Sequence, residues 1–382
     1  MSVSRKKILF LSSWYPSDAH PTLGNFVQRH AEAIATLHEV HVVYLTPLKG
    51  ETSAHRVVQF TEKGVQHTIV YFPKKGLKAL RRWKAFNYVL RLLKDQGNDH
   101  FDLVHQNVLW SEGWQAVVYK KRTRTPFIVT EHWTGYQKNR PHPLPKKVLM
   151  LSRWVARHAS VLCPVTEHLK DDLIHHGIKG HFEVVPNVVD TALFSLKEKT
   201  SQTIKFLHVS SLVDEHKNIT GILKVWKNFS DAHPNVHLEI GGDGPFELFA
   251  QKALQLGIRP ESIHFFGTLP WEGIAAKMQE AHALVLFSNY ENLPCVIVES
   301  MASGMAVISS NVGGIAEHIQ PTNGILVEKG NEVQLLDALQ QFVATHHQFD
   351  PISIRTYAEN NFSLPAVAAS FDRVYTRAIN NK

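Results

Sequence analysis

The chain has 382 residues, 44% hydrophobic and 20% charged, a composition of folded globular proteins at a length that argues for two domains. It contains no run of about 18 apolar residues, so no membrane span is expected, and its two cysteines, Cys163 and Cys295, argue against a disulfide framework or a cysteine metal site. The net charge of +7 permits an anionic partner (nucleic acid, anionic lipid or a phosphorylated substrate), while the 24 histidines show no HExxH or comparable metal spacing.

The N-terminus, MSVSRKKILFLSSWYP, lacks a small-residue cleavage site and reads as a first β-strand rather than a signal peptide. The expected location is therefore cytoplasmic. KKILFLSS is followed by the helical GNFVQRHAEAIATL and the strand HEVHVVYLT; FDLVHQN, WQAVVYKKR, TPFIVTEH, VLMLSRWVARHA and SVLCPVTEHLKDDLIHHG continue the alternation. After HFEVVPNVVDTALF a polar stretch, SLKEKTSQT (195–203), looks like a linker. The pattern then restarts with IKFLHVSS, NITGILKVWKNFSDAH, VHLEIGGDG, FELFAQKALQLG, SIHFFGTLP, IAAKMQEAHALVLFS and MAVISS. Short β-branched runs between helical patterns argue for parallel α/β sheets. The expectation is two Rossmann-like domains facing each other across a cleft, with ligands beyond the carboxyl ends of the strands. The expected bounds are 1–198, 199–364 and a C-terminal helix over 365–382.

YENLPCVIVESMASG (290–304) carries the most chemistry. HALVLFSNY ends a strand, which puts Glu291 in the loop after it. Pro294 suits a first helical turn, and Gly304 ends a helix that runs through Glu299 to about Ser303. The N-terminus of that helix offers N–H groups and a positive dipole end to phosphate or sugar oxygens. Glu299 lies roughly 9 Å along the axis, so the two carboxylates suit two ends of an elongated polyhydroxyl ligand. The competing reading is a capping carboxylate plus a surface glutamate.

With the run SMASGMAVISSNVGGIAEHI behind it, the Glu291-x7-Glu299 motif resembles that of the family 4 retaining glycosyltransferases of the GT-B fold. ILFLSSWYP…TLGNFVQRHAEAIA, VTEHWTGY, VVPNVVDTALF, HVSSLVDEHKNITGILKVW and LEIGGDGP match in order, so the resemblance covers nearly the whole chain. It implies a nucleotide diphosphate sugar as donor. Glu291 would contact hydroxyls of the transferred sugar, with the backbone of Asn292, Leu293 and Pro294 beside the sugar and phosphates. Glu299 would bind the ribose, Lys217 would neutralise the diphosphate, and Gly24 and Gly242 would let backbone approach the donor. His132 in TEHWTG would lie near the reacting sugar. The resemblance also implies same-face attack with the leaving phosphate assisting deprotonation, no protein nucleophile, and a C-terminal helix that returns to the first domain. A bound metal is not expected, because no DxD-type site stands at a strand end. One position departs from the family: Ser211 stands where an arginine is usual, so either another basic residue (His208, His216 or one from the N-terminal domain) serves the phosphates or they are held more loosely.

The segment KKGLKALRRWKAFNYVLRLLK (74–94) has no acidic residue. Wound as a helix, it places Ala79, Trp83, Phe86, Leu90 and Leu93 on one side and Lys78, Arg81, Lys84 and Arg91 largely on the other. That pattern suits either docking on an anionic membrane surface, where a lipid-linked acceptor would sit, or ordinary packing on a sheet. The reading is a glycosyltransferase acting on a saccharide or lipid-linked acceptor in cell-surface polysaccharide or glycolipid synthesis. A same-fold epimerase or phosphorylase is its rival among enzymes. A basic nucleic-acid-binding protein is the rival from another class, but no RNP-like, helix-turn-helix or zinc pattern supports it.

Overall fold

A computed structural model describes residues 5–52, 55–140, 142–199 and 201–380. The chain forms two compact units, one made of the chain up to Val188 together with the segment from Leu364 on, the other of Val189–Ser363.

The first unit is built on a seven-stranded sheet. Its strands are β1 (Lys7–Ser12), β2 (Glu39–Leu48), β3 (Arg56–Glu62), β4 (Val65–Pro73), β5 (Leu103–Asn107), β6 (Phe127–Glu131) and β7 (Val161–Pro164). They lie in the order β3-β4-β2-β1-β5-β6-β7. Ile8, Leu9, Phe10 and Leu11 are all fully buried, as befits a central parallel strand covered on both faces. The antiparallel β3–β4 hairpin at one edge was not foreseen from the sequence. Its signal was local: Lys63 and Gly64 both adopt positive φ, 46° and 77°, the two-residue turn whose twist matches that of the flanking strands.

The second unit has six strands, β8 (Ile204–Ser210), β9 (Val236–Gly242), β10 (Ile263–Phe266), β11 (Ala283–Leu286), β12 (Ala306–Ser310) and β13 (Gly324–Val327). Their order is β10-β9-β8-β11-β12-β13 and every pairing is parallel. Helices join successive strands, because parallel neighbours need a crossover. Both units are thus Rossmann-like.

The first stretch of chain ends its unit at Val188, not at residue 198. Val189 N–H donates to Phe362 O at 2.8 Å, and the Arg355 guanidinium donates to the carbonyls of Thr191, Phe194 and Ala302 at 2.9, 2.9 and 2.6 Å. The polar stretch 195–203 therefore lies inside the second unit and is not an interdomain linker; its residue 200 falls outside the described residues.

The helix Leu364–Asn380 belongs to the first unit and packs Val367, Phe371, Val374 and Tyr375 into the core beside Ile8, Phe10 and Leu103. Asp372 pairs with Lys6 at 2.5 Å and lies 3.2 Å from His38, and Arg377 meets Glu183 at 2.6 Å.

The helix Lys78–Asp95 corrects the sequence reading. It buries Ala85, Phe86, Val89 and Leu93, a stripe rotated from the expected one and confined to the helix from Ala85 on. Trp83 and Ala79 are exposed. Arg81 turns inward, donating to Pro73 O with its guanidinium 5.9 Å from the Phe72 ring centroid, so it does not share the outward basic face of Lys78, Lys84 and Arg91. Before Ala85 no residue of the helix is buried, although Arg81 reaches back to the end of β4. No described helix is long and apolar enough to cross a membrane.

Candidate active site

In the second unit the chain winds outward in opposite directions from two neighbouring strands, β8 and β11. Loops at the carboxyl ends of such a pair diverge and leave a crevice. The loop after β8 carries Lys217, and the loop after β11 carries Glu291.

Lys217 Nζ forms an ion pair with Glu291 Oε1, and the Ser288 hydroxyl donates to the same oxygen at 2.8 Å. Asn289 N–H donates to His216 O at 2.7 Å and its side-chain amide to Glu215 O at 2.9 Å, which ties the two loops together. Lys217 ends a short helix, Asp214–Lys217. Asn218, at φ 49°, then starts the helix Ile219–Ala232, and its side chain accepts from Gly221 N–H at 3.2 Å. Asp214 accepts from both the N–H and the hydroxyl of Thr220, at 2.8 and 2.6 Å, bracing the turn that aims Lys217. Glu291 is 6% exposed, so the pair works in a poorly solvated place where charge is costly unless matched.

Past Glu291 the chain enters the helix Cys295–Ala302, with Pro294 as N-cap and Gly304 at φ 69° beyond its end. Glu299 is 3% exposed, so it is not the surface glutamate of the competing reading. Asn292 and Leu293 are buried, and Asn292 O accepts from Gly314 N–H at 3.1 Å, linking this loop to the one after β12. Gly242 ends β9 with φ 132°; a Cβ there would lie 1.9 Å from Ser210 O, so the backbone crossing itself demands glycine.

His208 cannot replace the missing arginine. Its Nδ1 lies 2.8 Å from Val285 O, which can only accept, so Nδ1 carries the proton. Nε2 is then left to accept from the Ser210 hydroxyl at 2.8 Å, and that oxygen takes Leu212 N–H at 3.1 Å. Burial lowers the His208 pKa to about 4, with Lys217 adding to the effect. It is a neutral scaffold residue. Ser211 is exposed. The His216 ring stands edge-on to Tyr290 at 6.1 Å, and on the same tyrosine lies a cation the sequence reading missed: Lys329 Nζ is 4.0 Å from the ring centroid. Its signal was a lysine in the loop that follows β13.

In the first unit, Gly24 begins the helix Asn25–Ala35 at φ 77°. A Cβ there would come within 2.6 Å of the Trp14 carbonyl and 2.8 Å of Tyr15 N. The loop after β1 requires glycine whether or not a ligand approaches. His132 follows β6 directly and is 8% exposed, its ring 4.7 Å from that of Phe26 and 5.3 Å from that of His30. Burial, then the proximity of His30 and His105, holds its pKa well below the ordinary value, against a hydrogen bond with Asn187. His132 is a neutral imidazole at physiological pH. The 24 histidines looked scattered, yet three of them, His30, His105 and His132, gather here. His105 is within hydrogen-bond reach of Tyr375 Oη at 2.7 Å and Thr130 Oγ1 at 2.5 Å, and His30 Nε2 donates to Pro186 O at 3.1 Å.

Glu131, also missed, organises this corner. Its buried carboxylate accepts from Leu109 N–H, His132 N–H and Trp133 N–H, each at 2.9 Å, so it holds the loops after β5 and β6 together. Burial outweighs those bonds and raises its pKa to about 7. Lys217, Glu291, Glu299, Gly242 and the 292–294 backbone thus lie in the second unit, and Gly24 and His132 in the first. Among the described residues no three His, Cys, Asp or Glu side chains form a group able to hold a metal ion.

Two family models together span most of the chain: "Glycosyltransferase Family 4" matches residues 23–193 and "Glycosyl transferases group 1" residues 191–352. A phosphatidylinositol N-acetylglucosaminyltransferase subunit from Arabidopsis thaliana is 22% identical over 51% of this chain and 44% of its own length, so the match spans less than half of that relative. Glycogen synthase of Mycobacterium tuberculosis is 24% identical over 82% of this chain and 80% of its own. Among solved structures, sucrose-phosphate synthase from Thermosynechococcus elongatus superimposes with a TM-score of 0.78 at 18% identity, covering 99% of this chain and 100% of that one. Anabaena HepE in complex with UDP-glucose superimposes with a TM-score of 0.73 at 17% identity, covering 97% and 100%.

Proposed function

The chain belongs to the family 4 glycosyltransferases of the GT-B fold, and from that premise we propose that it moves a sugar from a nucleotide diphosphate donor to a saccharide or lipid-linked acceptor, with retention of configuration. The observation that carries the proposal is the Lys217–Glu291 pair at the β8/β11 switch point. It sets a cation for phosphate beside a carboxylate for hydroxyls in a poorly solvated crevice.

In this reading Glu291 accepts hydrogen bonds from the transferred sugar, and Glu299 holds the ribose. The backbone of Asn292, Leu293 and Pro294 lies along the sugar and phosphates, and Gly242 and Gly24 admit the donor at close range. The bond from the anomeric carbon to the β-phosphate oxygen breaks as the acceptor oxygen bonds to that carbon on the same face. The acceptor proton passes to the departing phosphate. Lys217, with the helix N-terminus at Cys295, meets the charge that grows on the diphosphate, a role we assign to these groups and not to a metal ion. His132, neutral, positions the sugar as a hydrogen-bonding group and not as a cation. The likeness to HepE, a protein in complex with UDP-glucose, supports a nucleotide sugar as the donor class. The names of the relatives support polysaccharide or glycolipid synthesis, for which we propose a cytoplasmic enzyme on the inner face of a membrane.

Thermal unfolding against a panel of nucleoside diphosphates and their sugars tests this directly, because a ligand that binds only the native state raises its stability. One nucleotide series should raise the unfolding temperature, and release of the free diphosphate with a glycosylated acceptor separates transfer from epimerisation or phosphorolysis. A chain that no nucleotide sugar stabilises would sink the proposal.

A further inference from the structure

The first two turns of the helix Lys78–Asp95 leave large apolar side chains in water. Leu77 at the N-cap is 77% exposed, Leu80 48% and Trp83 41%. Three residues apart, they line one side of these turns, as the i, i+3 spacing requires. Beside them opens a groove of about 510 Å³ lined by Ala79, Leu80, Arg82, Trp83 and Trp114. The Trp83 and Trp114 rings lie 5.8 Å apart and the Arg122 guanidinium 5.2 Å from Trp83, so the indole is held at the surface rather than drawn into the core.

The segment that carries this patch has charge of one sign only. Lys74, Lys75, Lys78 and Lys84 are all exposed, and no aspartate or glutamate occurs from residue 63 to residue 94. The carboxylate of Glu112, whose partner Arg82 lines the groove, is already paired with that arginine. An apolar wedge with an aromatic residue, flanked by exposed lysines, is complementary to a bilayer whose headgroups are anionic and whose interior is apolar. A soluble protein partner would leave that uniform positive rim to be answered by an equally uniform acidic one, whereas a lipid surface answers it wherever it docks.

We infer that Leu77, Leu80 and Trp83 insert into an anionic bilayer while Lys74, Lys75, Lys78 and Lys84 engage its phosphates. The inference rests on the peripheral location proposed above and is independent of the donor site, whose Lys217–Glu291 pair lies in the other unit. It goes beyond a charged face lying on headgroups, because apolar side chains enter the acyl boundary.

Co-sedimentation of the full chain with vesicles of phosphatidylcholine alone, and with phosphatidylglycerol added, tests it. The wild type should bind the mixed vesicles. Replacing the four lysines with glutamine should weaken binding roughly five-fold for each charge removed. Leu77→Ser, Leu80→Ser and Trp83→Ser combined should weaken it by about ten-fold or more at unchanged net charge. Lipids brominated in the acyl chain should quench tryptophan fluorescence in the wild type more than in Trp83→Phe, a reading that survives even if the triple variant folds poorly. Undiminished vesicle binding by the triple variant, or equal quenching in Trp83→Phe, overturns insertion. So does a wild-type dimer that the triple variant converts to a monomer, since a second copy would then cover the patch. Nucleoside diphosphate affinity should be the same in every variant. Its absence from the wild type would refute the transferase reading and leave the membrane result standing.

Discussion

Replacing Lys217 with alanine separates what its ion pair contributes to the fold from what its charge contributes to catalysis. In the structure the ammonium meets Glu291 Oε1, and the side chains of Lys217 and Glu291 are 17% and 8% exposed. Two unit charges about 4 Å apart attract by about 4 kcal/mol at an effective dielectric near 20, and the desolvation of both groups offsets much of that. Removing the lysine alone leaves a buried carboxylate with less compensation, although the Ser288 hydroxyl still donates to it. The expected loss of stability is about 1–3 kcal/mol, a fall of several degrees in unfolding temperature for a protein of this size. Turnover should fall much further, about 10²- to 10³-fold, as when one preorganised stabiliser of transition-state charge is removed. Adding Glu291→Gln to Lys217→Ala distinguishes the two effects. The neutral amide removes the uncompensated charge, so the double variant should regain stability relative to Lys217→Ala while turnover stays low. Thermal unfolding, initial-rate kinetics and nucleoside diphosphate affinity on all four members of the cycle read this out. Wild-type rate and affinity in Lys217→Ala would show that the phosphates lie elsewhere and refute the placement of the site. A double variant less stable than Lys217→Ala would refute the electrostatic account of the pair.

Glu291→Gln and Glu299→Gln should fail differently: the second mainly weakens donor binding, while the first also lowers kcat because its partner hydroxyls belong to the reacting sugar; wild-type kinetics in both would count against the assignment. Ser211→Arg should tighten nucleoside diphosphate binding about ten-fold or more, since His208 is neutral and Ser211 is exposed; weaker binding would mean that another cation already fills that space. Glu131 makes a prediction about pH. Its pKa rises from the ordinary 4.5 to about 7 on folding, so the native state holds the proton more tightly, and this contribution to stability, complete below about 4.5, is lost as pH rises through 7. His30, lowered to about 4 by burial, acts in the opposite sense over an overlapping window, but it is common to wild type and variant. The stability of the wild type relative to Glu131→Gln should therefore increase as pH falls from 7 to 4.5, by on the order of 3 kcal/mol; a difference independent of pH in chemical denaturation would refute it.

The sequence by itself determined the elements whose cause is local. Alternating β-branched runs and helical periods spelled two doubly wound units, since near-neighbour sterics and burial set those periods. The helix Cys295–Ala302 was legible to within a residue from Pro294 and Gly304, whose backbone preferences act where they stand. The motif around Glu291 and Glu299 was legible because its spacing lies within one loop and one helix. Tertiary structure decided what depends on strand order. Lys217 and Glu291 are 74 positions apart and meet only because β8 and β11 are neighbours in the sheet. The same kind of ordering in the first unit gathers His30, His105 and His132 into one buried corner and lets Glu131 receive a backbone N–H from Leu109, 22 positions away. The helix Lys78–Asp95 shows the limit of periodicity most clearly. Its amphipathic pattern was real, but the two faces of an isolated helix do not say how much of its length has a sheet beneath it. The fold buries side chains of this helix only from Ala85 on, and so the wedge formed by Leu77, Leu80 and Trp83 was decided by where the core ends.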